Sequence, residues 1–321
     1  MRIIRTLENL TGALRNPVMT IGNFDGVHLG HRELFRRVVT RAAEYDGDAV
    51  VLTFDPHPLK IIAPQRAPRL INTRDEKERL IAASQVDVLL DLPFNAALSA
   101  LTAEEFISRV LVEQVGVRHI IVGFDYAFGA GRRGDIELLS RLGEQCRFGV
   151  EVVKPVGTDD EVYSSTRIRR MVGAGQVAEV VAYLGRHYSL KGTVVAGVGR
   201  GKQLGFPTAN LATEKELIPA DGVYAVKVCL DGVIHDGVVN IGRTPTFAAG
   251  RYTIEAHLFG LDADLYGKSL RVYFIERLRD EKRFADPLAL TQAIATDVER
   301  AKELLQGARI IEYHEYLGFG R

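Results

Sequence analysis

Cysteine is scarce in this sequence, and neither sign of charge is in excess. The only cysteines, Cys146 and Cys229, are far apart in apolar contexts, which fits neither a disulfide framework nor a cysteine metal site. We therefore expect buried free thiols in a reducing compartment. Basic and acidic residues number 41 each, so no basic field favours nucleic acid, and we expect no nucleic-acid partner.

Long hydrophobic runs are also missing. No run approaches the roughly 18 residues that cross a bilayer, and the amino terminus lacks the apolar stretch and small-residue cleavage site of a secretory signal. These absences predict a cytoplasmic protein with no membrane partner. The composition is ordinary for a globular protein, with 46% hydrophobic and 26% charged residues. A length of 321 residues suggests two domains, since single domains cluster at roughly 100 to 200 residues.

The first half of the chain alternates short β-rich runs with amphipathic stretches, which is typical of a parallel sheet covered by helices. Two capping boxes, Thr73 with Glu76 and Thr102 with Glu105, mark the starts of two of the helices. A helical stretch is expected from about Ser165 to Gly185. The predicted strands are Val18–Gly22, Ala49–Phe54, Val86–Leu92, Val117–Gly123 and Val150–Val156.

After residue 185 the hydrophobic period changes from about 3.6 to 2, which places a domain boundary between residues 185 and 186. Strands without intervening helices predict an antiparallel barrel, and Asp231-Gly232 is a hairpin signal between two of them. Apolar spacing from Pro287 to Leu305 predicts a terminal helix. The predicted strands are Leu190–Ala196, Val223–Leu230, Val233–Ile241, Tyr252–Phe259 and Ser269–Ile275.

A glycine-rich turn with two histidines follows the first predicted strand. The segment from Gly22 to His31 reads G-N-F-D-G-V-H-L-G-H and leads into a helical pattern. His28 and His31 are three residues apart, so they share one face of the first helical turn, beside backbone N–H groups and the positive end of the helix dipole. Glycines allow phosphate to approach the backbone closely. This segment resembles the HxGH signature of the nucleotidyltransferase superfamily.

Polar segments follow other predicted strands as well, and the carboxyl ends of parallel strands gather ligands at one edge of the sheet. They read T-F-D-P-H-P from Thr53, G-F-D-Y-A-F-G from Gly123 and S-S-T-R-I-R from Ser164. The last resembles the superfamily's S-S-T-x-x-R loop. Its arginines stand where a helix N-terminus disfavours cations, and a bound anion would relieve that conflict.

The superfamily resemblance implies attack on the α-phosphorus of a nucleoside triphosphate. His28, His31 and Arg169 would stabilise charge on the phosphates. His57, Asp125 and Phe128 would bind the second substrate. The expected ATP and phosphate contacts are Gly22, Asn23, Phe24, Asp25, Gly26, Gly30, Ser164, Ser165 and Thr166.

A second glycine-rich segment, from Gly197 to Asn210, reads G-V-G-R-G-K-Q-L-G-F-P-T-A-N. It is not a Walker A loop, because Ala196 stands where the first glycine belongs. Thr208 and Asn210 are two residues apart, so in an extended segment their oxygens would point the same way and could bind Mg²⁺. The expected ATP contacts of this site are Gly197, Gly199, Lys202, Gly205, Phe206 and Pro207.

The G-F-P-T-A-N segment resembles that of riboflavin kinase. Together with the first site, the chain from about Ile21 to Ala301 resembles the bacterial bifunctional riboflavin kinase/FAD synthetase family. The resemblance implies a Rossmann-like nucleotidyltransferase domain and a six-stranded barrel with a terminal helix. It implies ATP, riboflavin and FMN as substrates, Mg²⁺ as cofactor, Glu255 as the general base of the kinase, and the second substrate of the first site as FMN.

Some positions depart from the family pattern. Asp125 replaces a common Asn, Gly260 an acidic residue, and Thr244 a frequent Arg. None of these removes a proposed catalytic group.

Two alternatives remain open from the sequence. One is a single-activity nucleotidyltransferase whose barrel is regulatory, which the P-T-A-N segment and Glu255 disfavour. The other is a non-catalytic flavin or nucleotide sensor.

Overall fold

The structure is a computed structural model that describes residues 1–8, 10–157, 161–197, 201, 204–243, 252–282 and 284–312. The chain divides into two compact units between Ser165 and Thr166. The predicted domain boundary at residues 185 and 186 stays a prediction, because a division by contacts need not mark the limit of a function. Within the described ranges, no helix has both the length and the hydropathy that crossing a bilayer requires.

The first unit contains a six-stranded, fully parallel sheet, as predicted. Its spatial order is β1-β4-β3-β2-β5-β6. The short edge strand β1 is the one that the sequence pattern missed, because three residues carry too little periodicity. The strands are β1 Arg2–Ile4, β2 Val18–Ile21, β3 Ala49–Asp55, β4 Val88–Pro93, β5 His119–Gly123 and β6 Gly149–Val153.

Helices connect these strands. Both predicted capping boxes are confirmed, since the threonine and glutamate side chains of each make the reciprocal bonds to backbone N–H groups. The elements are α1 Leu29–Glu44, α2 Pro58–Ile62, a 3₁₀ turn Pro64–Arg66, α3 Arg74–Ala82, α4 Ala96–Ala100, α5 Ala103–Glu105 with a π-helical continuation Phe106–Val115, a 3₁₀ turn Ala130–Arg132 and α6 Ile136–Cys146.

The strand order reverses at β2. The chain moves from β2 to β3 and β4 on one side, whereas β5 and β6 lie on the other. Such a switch point leaves a crevice at the carboxyl ends of the strands, where ligands bind in open parallel sheets. The histidine-containing turn follows β2 and therefore lies at this crevice.

The second unit contains a closed six-stranded barrel in the order β10-β11-β8-β7-β12-β9. Its pairs are antiparallel, as predicted. The strand β8, which contains Asn210, was not predicted because it is short and follows a glycine-rich segment. The strands are β7 Ser189–Val195, β8 Ala209–Ala212, β9 Gly222–Leu230, β10 Val233–Arg243, β11 Tyr252–Leu258 and β12 Ser269–Arg279.

Two local predictions in the second unit have different outcomes. Asp231 and Gly232 have φ angles of 49° and 85°, as a type I′ hairpin requires. The helical stretch predicted from about 165 to 185 consists of two helices, α7 Ser165–Gly173 and α8 Val181–Leu184. Gly175, at φ 80°, ends α7 in a Schellman motif, with bonds from the Gly175 and Gln176 N–H groups back to Val172 and Met171.

The cysteines correct another expectation. Both are free, but Cys146 is exposed and Cys229 is only partly buried. Cys146 is the last residue of α6, and its neighbours Gln145 and Arg147 are exposed with it.

The terminal helix α9 spans Pro287–Leu305, as predicted. Its buried residues Val298, Ala301 and Leu305 pack against a hydrophobic cluster of β9, β10 and β12. Arg279 of β12 reinforces this packing, because its guanidinium donates to both carboxylate oxygens of Asp297 at 2.8 to 3.0 Å. The side chain of Asp297 is only 10% exposed.

Removing the Asp297 carboxylate should therefore release α9. We expect Asp297→Ala to lower the free energy of unfolding of the barrel by about 3 kcal/mol, since Arg279 would be left without its partner. Glu299→Ala is the matched control on the same helix, because its pair with Lys302 is exposed and should be worth less than about 1 kcal/mol. Denaturant titration measures both, and equal shifts would contradict this role.

Candidate active sites

The turn after β2 has an unusual backbone. Phe24, Gly26 and Val27 have φ angles of 47°, 90° and 39°, and a positive φ is rare for a β-branched residue such as Val27. A Cβ on Gly22 would lie 3.0 Å from the Phe24 ring, so only glycine leaves room for this turn. Strained backbone of this kind concentrates at ligand sites, where the surrounding structure enforces it.

The predicted histidine pair forms a stacked unit. His28 is the N-cap of α1, and its Nδ1 accepts the His31 backbone N–H at 3.4 Å. The two rings stack with centroids 3.6 Å apart, and Phe24 packs edge-on against His31. Because Nδ1 of His28 is the acceptor, its proton is on Nε2. The N-terminus of α1 therefore combines imidazole N–H and backbone N–H donors, which suits an anion.

Gly30 allows this stacking. A Cβ at this position would lie 3.1 Å from Cε1 of His28 and 3.7 Å from Cβ of Tyr163. Tyr163 belongs to the segment that follows β6, so the turn after β2 and that segment approach each other at Gly30. A methyl group there would displace the His28 ring.

Asp25 holds neighbouring segments in place. Its carboxylate accepts backbone N–H groups of Ile71 at 3.0 Å and Asn72 at 3.2 Å, and its carbonyl accepts the Ser165 hydroxyl at 2.8 Å. The residue is 5% exposed. A buried carboxylate would repel phosphate, so these contacts favour a structural role within the site over direct contact with ATP.

A buried lysine is connected to the exposed Asn23 through the Thr53 hydroxyl. Lys77 of α3 donates to the Thr53 hydroxyl at 3.1 Å and to the Phe54 carbonyl at 3.3 Å, and Thr53 donates to the Asn23 carbonyl at 3.2 Å. Burial lowers the pKa of Lys77, while nearby Asp91, Asp55 and Asp25 oppose that shift. This hydrogen-bonded chain links the end of β3 to the turn after β2.

The predicted flavin-binding residues occupy different environments. His57 is the N-cap of α2, where its Nδ1 accepts the Leu59 N–H at 3.2 Å, and it is 9% exposed. Asp125 lies in the turn after β5. Phe128 is 8% exposed and packs in the hydrophobic core against Tyr126. Phe124 of the same turn is 48% exposed, so it is an aromatic ring that a planar ligand could reach.

The S-S-T-x-x-R residues lie at the start of α7. Ser164 precedes the helix, Ser165 is its first residue, and Thr166 and Arg169 follow in the first turns, on the second-unit side of the division. Arg167 stacks on Tyr183 and donates to its hydroxyl at 2.9 Å. The first turn of α7 has no acidic residue, which agrees with the predicted anion.

In the barrel, strand register brings the predicted catalytic groups together. Glu255 of β11 is the antiparallel partner of Asn210 of β8 on one side and of Asn240 of β10 on the other. Directly paired residues have side chains on the same face, with Cβ atoms about 5 Å apart. A carboxylate therefore lies between two amides on one face of the barrel.

Glycines face the two predicted metal-binding side chains. A Cβ on Gly197 would lie 2.5 Å from Cγ of Asn210, and a Cβ on Gly201 would lie 3.0 Å from Oγ1 of Thr208. The side chains of Thr208 and Asn210 thus both lie against the glycine-rich segment. The Thr208 hydroxyl faces this segment, whereas the Asn210 atom nearest Gly197 is the amide nitrogen, so the shared direction of the two oxygens stays a prediction.

The turn before Thr208 is closed by its own backbone. The Gly201 carbonyl accepts the N–H groups of Leu204 at 3.1 Å and Phe206 at 2.9 Å. Gly205 has a φ of 85°, a conformation that favours glycine. Pro207 follows, and its carbonyl accepts a hydrogen bond from His257. The predicted contacts Gly199 and Lys202, and the departure at Thr244, lie outside the described residues.

Three residues of these sites were missed by sequence reasoning. Lys77 lies one helical turn before the buried Ile81 of α3, which is the signal that places it on the buried face. Asn240 and His257 become part of the second site only through strand register, and β8 was not predicted.

Family models match both halves of the chain. The model described as FAD synthetase matches residues 11–167, and the model described as riboflavin kinase matches residues 184–305. The two matches fall on the sheet-containing half and the barrel-containing half. Both models describe enzymes, so the fold and sites define a transferase with two catalytic domains.

Relatives match almost the whole chain. The protein named bifunctional riboflavin kinase/FMN adenylyltransferase from Pseudomonas fluorescens is 40% identical over 95% of this chain and 98% of its own length. The protein of that name from Escherichia coli K12 is 37% identical over 94% and 97%. The chain belongs to the bifunctional riboflavin kinase/FMN adenylyltransferase family.

A solved structure shares the architecture. A crystal structure described as a macrolide-efflux protein from Streptococcus pneumoniae superposes with a TM-score of 0.84 at 32% identity, covering 94% of this chain and 98% of that one. Its description differs from the names of the sequence relatives. The family assignment rests on the two family models and on those relatives.

Two glycine substitutions should separate the sites. We expect Gly30→Ala to crowd the His28 ring and lower FMN adenylyltransferase activity while riboflavin kinase activity continues. The ring would shift by less than 1 Å, so the loss should be smaller than the roughly 10²-fold that a 1 Å misplacement costs. Gly197→Ala should displace Asn210 and do the reverse. Separate assays with riboflavin and with FMN as the supplied flavin measure the two steps.

Gly173→Ala is the control, because a Cβ there meets nothing within 4 Å and both activities should persist. If Gly30→Ala or Gly197→Ala reduced both activities equally in folded protein, the assignment of one site to each reaction would be wrong.

Proposed function

We propose that the barrel site phosphorylates riboflavin to FMN and that the site at the switch point of the parallel sheet adenylylates FMN to FAD, each using ATP. The observation that carries this proposal is the register of the barrel. It sets Glu255 directly beside Asn210, in the domain that the riboflavin kinase model matches.

Glu255 is the general base of the kinase reaction. Its carboxylate takes the proton from a ribityl hydroxyl of riboflavin as that oxygen attacks the γ-phosphorus, and ADP leaves. Position matters more than basicity here, because phosphoryl transfer depends chiefly on alignment and on stabilising the charge of the phosphates. The two amides beside Glu255, those of Asn210 and Asn240, supply neutral groups that orient without adding charge.

The donor set of this site fits Mg²⁺, a hard cation that prefers oxygen and usually binds through one or two side chains together with nucleotide phosphates. Thr208 and Asn210 carry a hydroxyl and an amide oxygen, and both side chains lie against the glycine-rich segment. They would hold the ion, which would neutralise charge on the ATP phosphates. Gly197, Gly199, Lys202, Gly205, Phe206 and Pro207 are the proposed contacts to ATP in this domain.

At the first site, a phosphate oxygen of FMN attacks the α-phosphorus of ATP, a new phosphoanhydride bond forms, and pyrophosphate leaves. His28, His31 and Arg169 stabilise the charge that develops on the phosphates. No strong base is needed, since the attacking phosphate is already an anion. The stacked histidines and the N-terminus of α1 suit this task.

The remaining contacts of the first site follow from the turns around it. The proposed ATP contacts are Gly22, Asn23, Phe24, Gly26, Gly30, Ser164, Ser165 and Thr166. Asp25 supports the site through its bonds with the Ser165 hydroxyl and with the backbone N–H groups of Ile71 and Asn72. His57, Asp125 and Phe128 are the proposed flavin contacts, and the exposed Phe124 is added to them. We also propose that neither reaction involves nucleic acid, and that the two functional domains are residues 1–185 and 186–321.

Substitutions at the two sites should affect different reactions. We expect Glu255→Gln, which keeps the size but not the basicity of the side chain, to reduce FMN formation by about 10²- to 10⁴-fold, the usual worth of a general base. Adenylylation of supplied FMN should continue. The pair His28→Ala and His31→Ala should spare FMN formation and impair FAD formation. Chromatography of the flavins measures both products.

The proposal would be contradicted in two ways. Undiminished FMN formation by Glu255→Gln would remove its role as a base. Loss of both riboflavin phosphorylation and adenylylation of supplied FMN in either folded variant would remove the assignment of separate sites.

A further inference from the structure

His257 follows Glu255 by two positions on β11. Side chains two apart on a strand lie on the same face, and the alternation of burial along β11 agrees, with Ile254, Ala256 and Leu258 buried and the residues between them partly exposed. His257 therefore lies on the face of the barrel that carries the proposed base.

The imidazole reaches across to the segment that carries the proposed metal-binding residues. Its Nδ1 is 2.8 Å from the carbonyl oxygen of Pro207. A carbonyl oxygen can only accept, so Nδ1 carries the proton and donates. The ring is also flanked by Phe206 and Phe259, with centroids 5.7 and 5.8 Å away.

The hydrogen bond from His257 to Pro207 joins β11 to the segment before β8, just beyond the end of their backbone ladder. Asn210 and Ala209 pair with Glu255 and Ala256. The next pair in this register would join Thr208 to His257, but the ladder ends at Ala209. The side chain of His257 makes the connection in its place.

The bond constrains the backbone immediately before Thr208. The ring of Pro207 fixes its φ near −65°, and the hydrogen bond to its carbonyl limits its ψ. Both dihedral angles that precede Thr208 are then set. The Thr208 hydroxyl is thereby held toward Gly201, at the position described above.

We propose that His257 is a positioning residue of the kinase reaction, which orients Thr208 toward ATP by holding the Pro207 carbonyl. The inference rests on the proposed function of the barrel site. It assigns His257 no contact with substrate. Its alternative is a role in packing alone, between Phe206 and Phe259.

Three substitutions in the full-length chain separate the hydrogen bond from the packing. His257→Phe keeps an aromatic ring and removes the donor. His257→Asn keeps an N–H close to the position of Nδ1, and His257→Leu is nearly the same size as Asn without a donor. Riboflavin kinase activity is measured at varied ATP with saturating Mg²⁺, and FMN adenylyltransferase activity of the same samples is the internal control for folding.

We expect the Phe and Leu variants to lose about 10-fold in kcat/KM for ATP, as the loss of one hydrogen bond of ordinary strength predicts. The Asn variant should stay within about 3-fold of the wild type. Adenylyltransferase activity should be unchanged in all three. A Phe variant as active as the wild type, or an Asn variant as impaired as Leu, would overturn the proposal, and so would a loss of both activities in the Phe variant.

Combination with Thr208→Val tests whether His257 acts through Thr208. Residues that act as a unit give non-additive effects, so His257→Phe should cost little more once Thr208 has lost its hydroxyl. Fully additive losses would contradict the proposed route. Failure of the proposed function itself would appear separately, as undiminished kinase activity in Glu255→Gln.

Discussion

Close approach of a polar side chain to a glycine backbone is the constraint on which both sites depend. At the first site the His28 ring lies against Gly30, and at the second the Asn210 amide lies against Gly197. A methyl group on Gly197 would occupy the space of the Asn210 amide, and one on Gly30 would crowd the His28 ring at 3.1 Å. Because glycine has no Cβ, it leaves room for these side chains and also lets a phosphate approach the backbone.

The two folds deliver these side chains by different means. The parallel sheet collects turns at the switch point of its strand order, and hydrogen bonds through Asp25, Thr53 and Lys77 tie those turns together. The barrel uses register, which pairs Glu255 with Asn210 and Asn240. The first site thus depends on loops held by buried polar contacts, and the barrel site depends on the regular spacing of paired strands. Local changes should therefore affect the two activities independently.

Periodicity and capping signals were enough to predict most of the architecture. The sheet, the barrel, the hairpin at Asp231-Gly232 and the helix α9 follow from patterns that local sequence carries. The short strands β1 and β8 do not, because their pairing is decided by partners distant in the sequence. The helical stretch at 165–185 was predictable, whereas its division into α7 and α8 depends on the positive φ of Gly175.

The sites were predictable to the extent that their residues are consecutive. The histidine turn and the P-T-A-N segment carry their chemistry within a few positions. Lys77, His257 and Asn240 act through contacts with distant segments, which a linear pattern does not contain. Phe128 is ambiguous from the sequence, since an aromatic residue in such a turn suits a flavin contact and a hydrophobic core alike. It packs in the core and is 8% exposed.

The central claim is that this chain has two separate nucleotide sites. Isothermal titration calorimetry of the intact protein with a non-hydrolysable ATP analogue and saturating Mg²⁺ tests it most directly. The account predicts two nucleotides per chain, with the affinity of one weakened in Gly30→Ala and that of the other in Gly197→Ala. A single nucleotide per intact chain would contradict it.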